Sequence, residues 1–86
     1  MEFKTTETGY LFQIWNYRDG EMKTPEGRKA DYEAIVFKVM NGRMDSRKDT
    51  YTVKRLGTIG LSIAEANNLE SVIDQINKGL RKLGSG

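Results

Sequence analysis

The sequence predicts an α+β fold, an antiparallel four-stranded sheet packed on one face by a C-terminal helix in the order β-β-β-β-α. Three observations carry that prediction. Runs of β-branched and aromatic residues with a period of two fill Tyr10–Arg18, Asp31–Met40 and Thr50–Leu56. Asp19-Gly20 and Asn41-Gly42 supply the positive φ values that tight hairpin turns require. After Leu61 the apolar spacing changes from two to three and four, the period of an amphipathic helix.

The first run carries large side chains on both alternating faces: Tyr10, Phe12 and Ile14 on one, Leu11, Trp15 and Tyr17 on the other. A one-layer sheet of this size covers only one face with its own chain, so the face holding the only Trp calls for a partner. Arg18-Asp19-Gly20-Glu21 then turns the chain into a short return strand through Met22 and Lys23. Pro25 and Gly27 end it and leave Thr24 to Ala30 as a loop with Arg28 and Lys29 at its far end.

From Asp31 to Met40, Ile35, Phe37 and Val39 share one face, and Tyr32, Ala34, Val36, Lys38 and Met40 the other. Asn41-Gly42 reverses the chain into Arg43-Met44, and Asp45 to Asp49 follows as a charged loop or hairpin tip. In the strand Thr50–Leu56, Tyr51 and Val53 face opposite to Thr52 and Lys54, while Gly57 and Gly60 mark a bulge or bend toward the helix.

Ser62 followed by Glu65 is a capping box, in which each side chain satisfies a backbone N–H at the helix start. Ala66, Leu69, Val72, Ile73, Ile76, Leu80 and Leu83 form one apolar stripe. Gly79 reads as an interior weakness costing about 1 kcal/mol against Ala. Gly84 is placed to end the helix, which gives one domain over residues 1–84 with Ser85 and Gly86 as a flexible end.

Composition limits the chemistry. A chain of 86 residues makes a single small core, for which a homodimer is a natural expectation. With no Cys and no His there is no thiol chemistry and no imidazole base, and carboxylates alone remain as metal ligands. We therefore expect a protein that is not an enzyme and needs no metal or cofactor. The amino terminus lacks the pattern of a secretory signal, and Lys38 interrupts the most apolar stretch, Ala34 to Met40, so a cytoplasmic protein with no membrane partner is expected.

Charge is unevenly placed. Lys and Arg number 14 against 12 Asp and Glu, a net +2, but Arg18 to Arg55 holds ten basic residues against seven acidic ones. From Leu56 to Asn77 the only charges are Glu65, Glu70 and Asp74. Such polarity fits a molecule with one surface turned toward an anion.

With Phe12, Ile14, Ile35, Phe37, Val39, Tyr51 and Val53 assigned to the helix side, the open face presents Leu11, Gln13, Trp15 and Tyr17. It also presents Tyr32, Val36, Lys38 and Met40, then Thr52 and Lys54. Exposed rings stack on unpaired bases and cations neutralise phosphates, so this mixture predicts binding of single-stranded DNA or RNA. Trp15, Tyr17, Arg18, Arg28, Lys29, Tyr32, Lys38, Arg43, Lys54 and Arg55 are the candidate binding residues. The alternative is a protein–protein module or small phage-type inhibitor using the same face. Asp45 and Asp49 are too sparse for a calcium loop, and Gly57-x-x-Gly60 lacks the Lys-Ser/Thr of a phosphate loop.

Thr58-Ile59-Gly60-Leu61-Ser62 runs straight into Ile63-Ala64-Glu65-Ala66 and a leucine-isoleucine helix. In this it resembles the Pur, Whirly and positive-cofactor-four group of single-strand-binding proteins, where a "G-I-S-L" or "T-L-S" strand end leads into the packing helix. The likeness is firmest over Thr50 to Leu83; the long charged connection Arg43 to Asp49 and the missing basic arm at the amino terminus depart from the pattern. It implies a dimeric, non-enzymatic nucleic-acid binder with Trp15, Tyr17, Lys38 and Lys54 as platform residues. The chain is also similar to the arm-binding domains of phage-type integrases, which implies double-stranded DNA read by the Asn41-Gly42 hairpin with Arg43, Arg47, Lys54 and Arg55.

Overall fold

The computed structural model describes residues 2–16, 29–40 and 52–85. Four strands, β1 (Glu2–Thr5), β2 (Tyr10–Asn16), β3 (Tyr32–Val39) and β4 (Val53–Leu61), form an antiparallel meander in the order β1-β2-β3-β4. Two helices, α1 (Ile63–Ala66) and α2 (Leu69–Asn77), follow. The predicted α+β architecture, four strands and then C-terminal helices, is the observed one.

The amino-terminal strand is not anticipated by pattern. Glu2-Phe3-Lys4-Thr5 is short and mainly polar, and it becomes a strand by pairing with β2, Phe3 opposite Gln13 and Thr5 opposite Leu11. The turn between them is tied by Thr6, whose N–H donates to the Tyr10 carbonyl at 2.9 Å and whose hydroxyl accepts the Tyr10 N–H at 3.0 Å. The Met22–Lys23 return strand and both Asx-Gly turns lie outside the described residues.

Residues opposite one another on paired strands project to the same side, so register assigns the faces. Phe12 pairs with Val36 and Ile14 with Ala34, while Ala34 and Tyr32 pair with Ile59 and Leu61. These side chains, with Tyr10, form the sheet half of the core; Ala66, Leu69, Val72 and Ile73 close it from the helices, and Tyr32, Ile76 and Leu83 pack at its margin. The assignment on β3 is therefore the reverse of the predicted one. Ala34 and Val36 are fully buried under the helices, whereas Ile35 and Phe37 lie half-buried on the other face. β3 is apolar on both faces, so bulk favours Ile35 and Phe37 in the sequence, but pairing sets Ala34 and Val36 beside Ile14 and Phe12 on the helix side.

A bulge redirects β4. Val36 pairs with Gly57 but Phe37 with Arg55, so Leu56 has no partner on β3. The extra residue inverts the alternation: Ile59 and Leu61 face the helices, yet Val53 and Arg55 point to the open face and Lys54 to the helix side. Val53 thus leaves the predicted core; Tyr51 lies outside the described residues.

The predicted single helix is two. Asn67 and Asn68 are poor helix residues that bond readily to nearby backbone, and the chain breaks there. The capping box at α1 is present as predicted, with Ser62 Oγ accepting the Glu65 N–H at 3.2 Å and Glu65 Oε1 accepting the Ser62 N–H at 3.0 Å. Asn68 caps α2 by accepting the Ser71 N–H at 3.4 Å.

The far end is corrected as well. α2 stops at Asn77, and Gly79 sits just past it at φ 74°. Gly79 N–H donates to the Ile76 carbonyl and Leu80 N–H to the Gln75 carbonyl, the paired bonds of a Schellman terminus. Leu80 consequently leaves the apolar stripe and is 73% exposed. Arg81 turns inward, buried, with its guanidinium bonded to the Glu65 carboxylate and the Gly60 carbonyl. Gly84 does not end a helix; it forms an antiparallel bridge with Thr58, with both N–H···O bonds at 2.8 Å. No helix among the described residues is long and apolar enough to cross a membrane.

Candidate functional site

Among the described residues the helices cover one face only, and the opposite, helix-free face is the open face, on which Val39 and Thr58 are nevertheless buried. Register places on it Phe3 and Thr5 from β1; Leu11, Gln13 and Trp15 from β2; Glu33, Ile35, Phe37 and Val39 from β3; and Val53, Arg55 and Thr58 from β4. Phe3 is 61% exposed, Leu11, Trp15, Ile35, Phe37 and Val53 are half-buried, and Val39 is buried. Three aromatic rings, Phe3, Trp15 and Phe37, therefore share one surface with Arg55.

Sequence reasoning places only Trp15 of those rings there. It misses Phe3 together with β1, and the inverted parity of β3 assigns Phe37 to the core. A usable signal does exist: Phe3 and Thr5 alternate with polar Glu2 and Lys4 directly before the Thr- and Gly-containing turn.

The predicted platform is divided between the two faces. Trp15 is opposite Glu33 at one end of the open face, and Arg55 is opposite Phe37 further along it. Tyr32 is opposite Leu61 on the helix side and packs against the core. Lys38 and Lys54 are opposite one another on that same helix side. Along β3, Lys38 lies about 17 Å from the row that holds Trp15, at about 3.4 Å per residue. Val36 and Lys38 thus leave the predicted open surface through the register of β3, and Lys54 leaves it through the bulge at Leu56. Lys29 is exposed beside the buried Ala30. Tyr17, Arg18, Arg28 and Arg43 lie outside the described residues.

The cations differ in how they are held. Lys4 lies 3.9 Å from the Glu2 carboxylate and donates to the Ala66 carbonyl at 3.4 Å; Lys78 is 2.9 Å from Asp74; Arg81 is bonded to Glu65. Lys38 extends across its neighbour Tyr10, with Nζ 5.6 Å from the ring centre. Among the described residues neither Lys38 nor Lys54 has a carboxylate within ion-pair distance.

A shallow cleft between the β1–β2 turn and the α1–α2 junction is lined by Lys4, Glu7, Asn67, Asn68 and Glu70. Thr8 closes one side by donating to Glu70 Oε1 at 2.9 Å. None of the described candidate binding residues lines it. Among the described residues no three acidic side chains cluster so as to hold a metal ion. A scan against protein-family models, a search of curated proteins and a search of solved structures each returned no match to this chain.

Proposed function

We propose that this protein is a non-enzymatic binder of single-stranded nucleic acid, with the helix-free face of the sheet as its stacking surface. The observation that carries the reading is the sharing of that face by Phe3, Trp15 and Phe37 beside Arg55. Each base stacked on an aromatic side chain contributes about 1–3 kcal/mol in single-strand binders, independent of sequence. Rings on a pleated sheet are held for this task, because the strand fixes the backbone and leaves two torsions to each side chain. The basic segment from Arg18 to Arg55 and the resemblance of Thr58–Ala66 to the Pur, Whirly and positive-cofactor-four group support the same assignment.

Titration with an oligothymidylate at low salt, followed by Trp15 emission, tests it. Quenching that weakens steeply as salt rises is the expected result. Unchanged emission at 50 mM salt with a long oligonucleotide refutes it.

A second reading has its own support. Leu11, Ile35 and Val53 add aliphatic surface to the same face, which is the composition of a protein interface core. Under it, a second copy of the chain or a protein partner covers Trp15. Sedimentation then gives a dimer mass that Trp15→Ala reduces to the monomer, with no response to oligonucleotide.

A further inference from the structure

Tyr10, Lys38 and Lys54 stand in one row across three strands on the helix side, each directly opposite the next. Both lysines are exposed, although the row begins on a buried ring. Side chains directly opposite in an antiparallel pair have Cβ atoms about 5 Å apart, and like charges there repel. Lys4, Lys78 and Arg81 each have a carboxylate partner, but this adjacent pair has none among the described residues. The Tyr10 ring also attracts the Lys38 ammonium group, which lies 5.6 Å from its centre and is biased toward the row before any ligand arrives.

We infer that Lys38 and Lys54 form a phosphate clamp for the sugar-phosphate backbone of the bound strand, on the face opposite Trp15. The inference rests on the nucleic-acid reading and deepens it. Two ammonium groups side by side suit a phosphodiester, whose two free oxygens can each accept a bond from one of them. A strand stacked on the open face reaches the clamp across the β4 edge of the sheet, where Lys54 and Arg55 point to opposite sides of that edge strand. Alternation along the strand gives that divergence, and the bulge at Leu56 decides that Lys54, not Arg55, is the one on the helix side beside Lys38.

The test compares the native chain with K38Q/K54Q and with K82Q, an exposed lysine outside the row, in oligothymidylate titrations over a range of salt. Each phosphate of a single strand that the protein ceases to neutralise reduces the magnitude of the slope of log K against log salt by about 0.7, so the double variant, which gives up one clamped phosphate, is expected to lose about 0.7 while K82Q keeps the native slope. A parallel titration with inorganic pyrophosphate, observed through labelled lysine Cε resonances, is expected to move the Lys38 and Lys54 signals ahead of the others. Both variants should melt close to the native chain, since the double substitution removes a repulsion along with the Lys38–Tyr10 contact and K82Q alters only an exposed side chain. Tight oligonucleotide binding with an unchanged slope in K38Q/K54Q overturns the clamp and leaves the stacking reading standing. Pyrophosphate shifts without Trp15 quenching by oligonucleotide refute the nucleic-acid reading and with it a clamp for its backbone. Pyrophosphate that moves no lysine signal selectively also overturns the clamp.

Discussion

Gly79→Ala separates the two accounts of the C-terminal region by the sign of its effect. Were Gly79 inside a continuous helix, alanine would stabilise the chain by about 1 kcal/mol. The structure instead has Gly79 at φ 74°, one residue past the cap of α2. An added Cβ there meets nothing within 4 Å, so the entire effect is backbone conformation. Left-handed backbone costs an L residue about 1–2 kcal/mol, and reduced freedom of the unfolded chain returns about 0.4–1. A net destabilisation of about 1 kcal/mol is expected. In a domain of this size it lowers Tm by about 4–8 °C. Circular dichroism during thermal and urea unfolding measures it, with Gly79→Asn as the control, since asparagine tolerates this conformation and should lose less. A Gly79→Ala chain that melts higher than the native one refutes the Schellman terminus and restores the longer helix.

Further outcomes follow from the same packing. Gly57 adopts φ 152°, and a Cβ there falls on the Gly84 carbonyl oxygen and 2.9 Å from Leu83 Cβ. Gly57→Ala should therefore cost about 2–4 kcal/mol, and removing residues 83–86 should recover part of that loss in a urea double-mutant cycle. Phe12→Ala should cost about 3–5 kcal/mol because Phe12 is fully buried, whereas Phe37→Ala on the open face should cost much less; equal losses would contradict the β3 register. Arg81→Met strips the Gly60 carbonyl and the Glu65 carboxylate of their shared partner and is expected to cost about 1.5–3 kcal/mol by urea unfolding.

The division between the legible and the hidden is physical. Glu65 three residues after Ser62 encodes its capping box locally, because every group involved lies within one turn. The strands β2, β3 and β4 and the α+β order are equally legible, since periodicity is a property of neighbouring residues. The candidate site is less so. Trp15 lies opposite the helix-covered side as predicted, but Lys38 and Lys54 do not share its face.

Sequence by itself determined that this chain forms a sheet, then helices, with aromatic side chains in excess of what one covered face can hold. It also determined that imidazole and thiol chemistry are absent. Tertiary structure alone decided which face of β3 is covered, because that strand is apolar on both sides and only its pairing puts Ala34 and Val36 on the side of Ile14 and Phe12. Pairing alone made Glu2–Thr5 a strand, and a single unpaired residue, Leu56, exchanged the faces of Lys54 and Arg55 relative to Ile59 and Leu61. A bulge and a register depend on what lies across the sheet, and no local pattern contains that information.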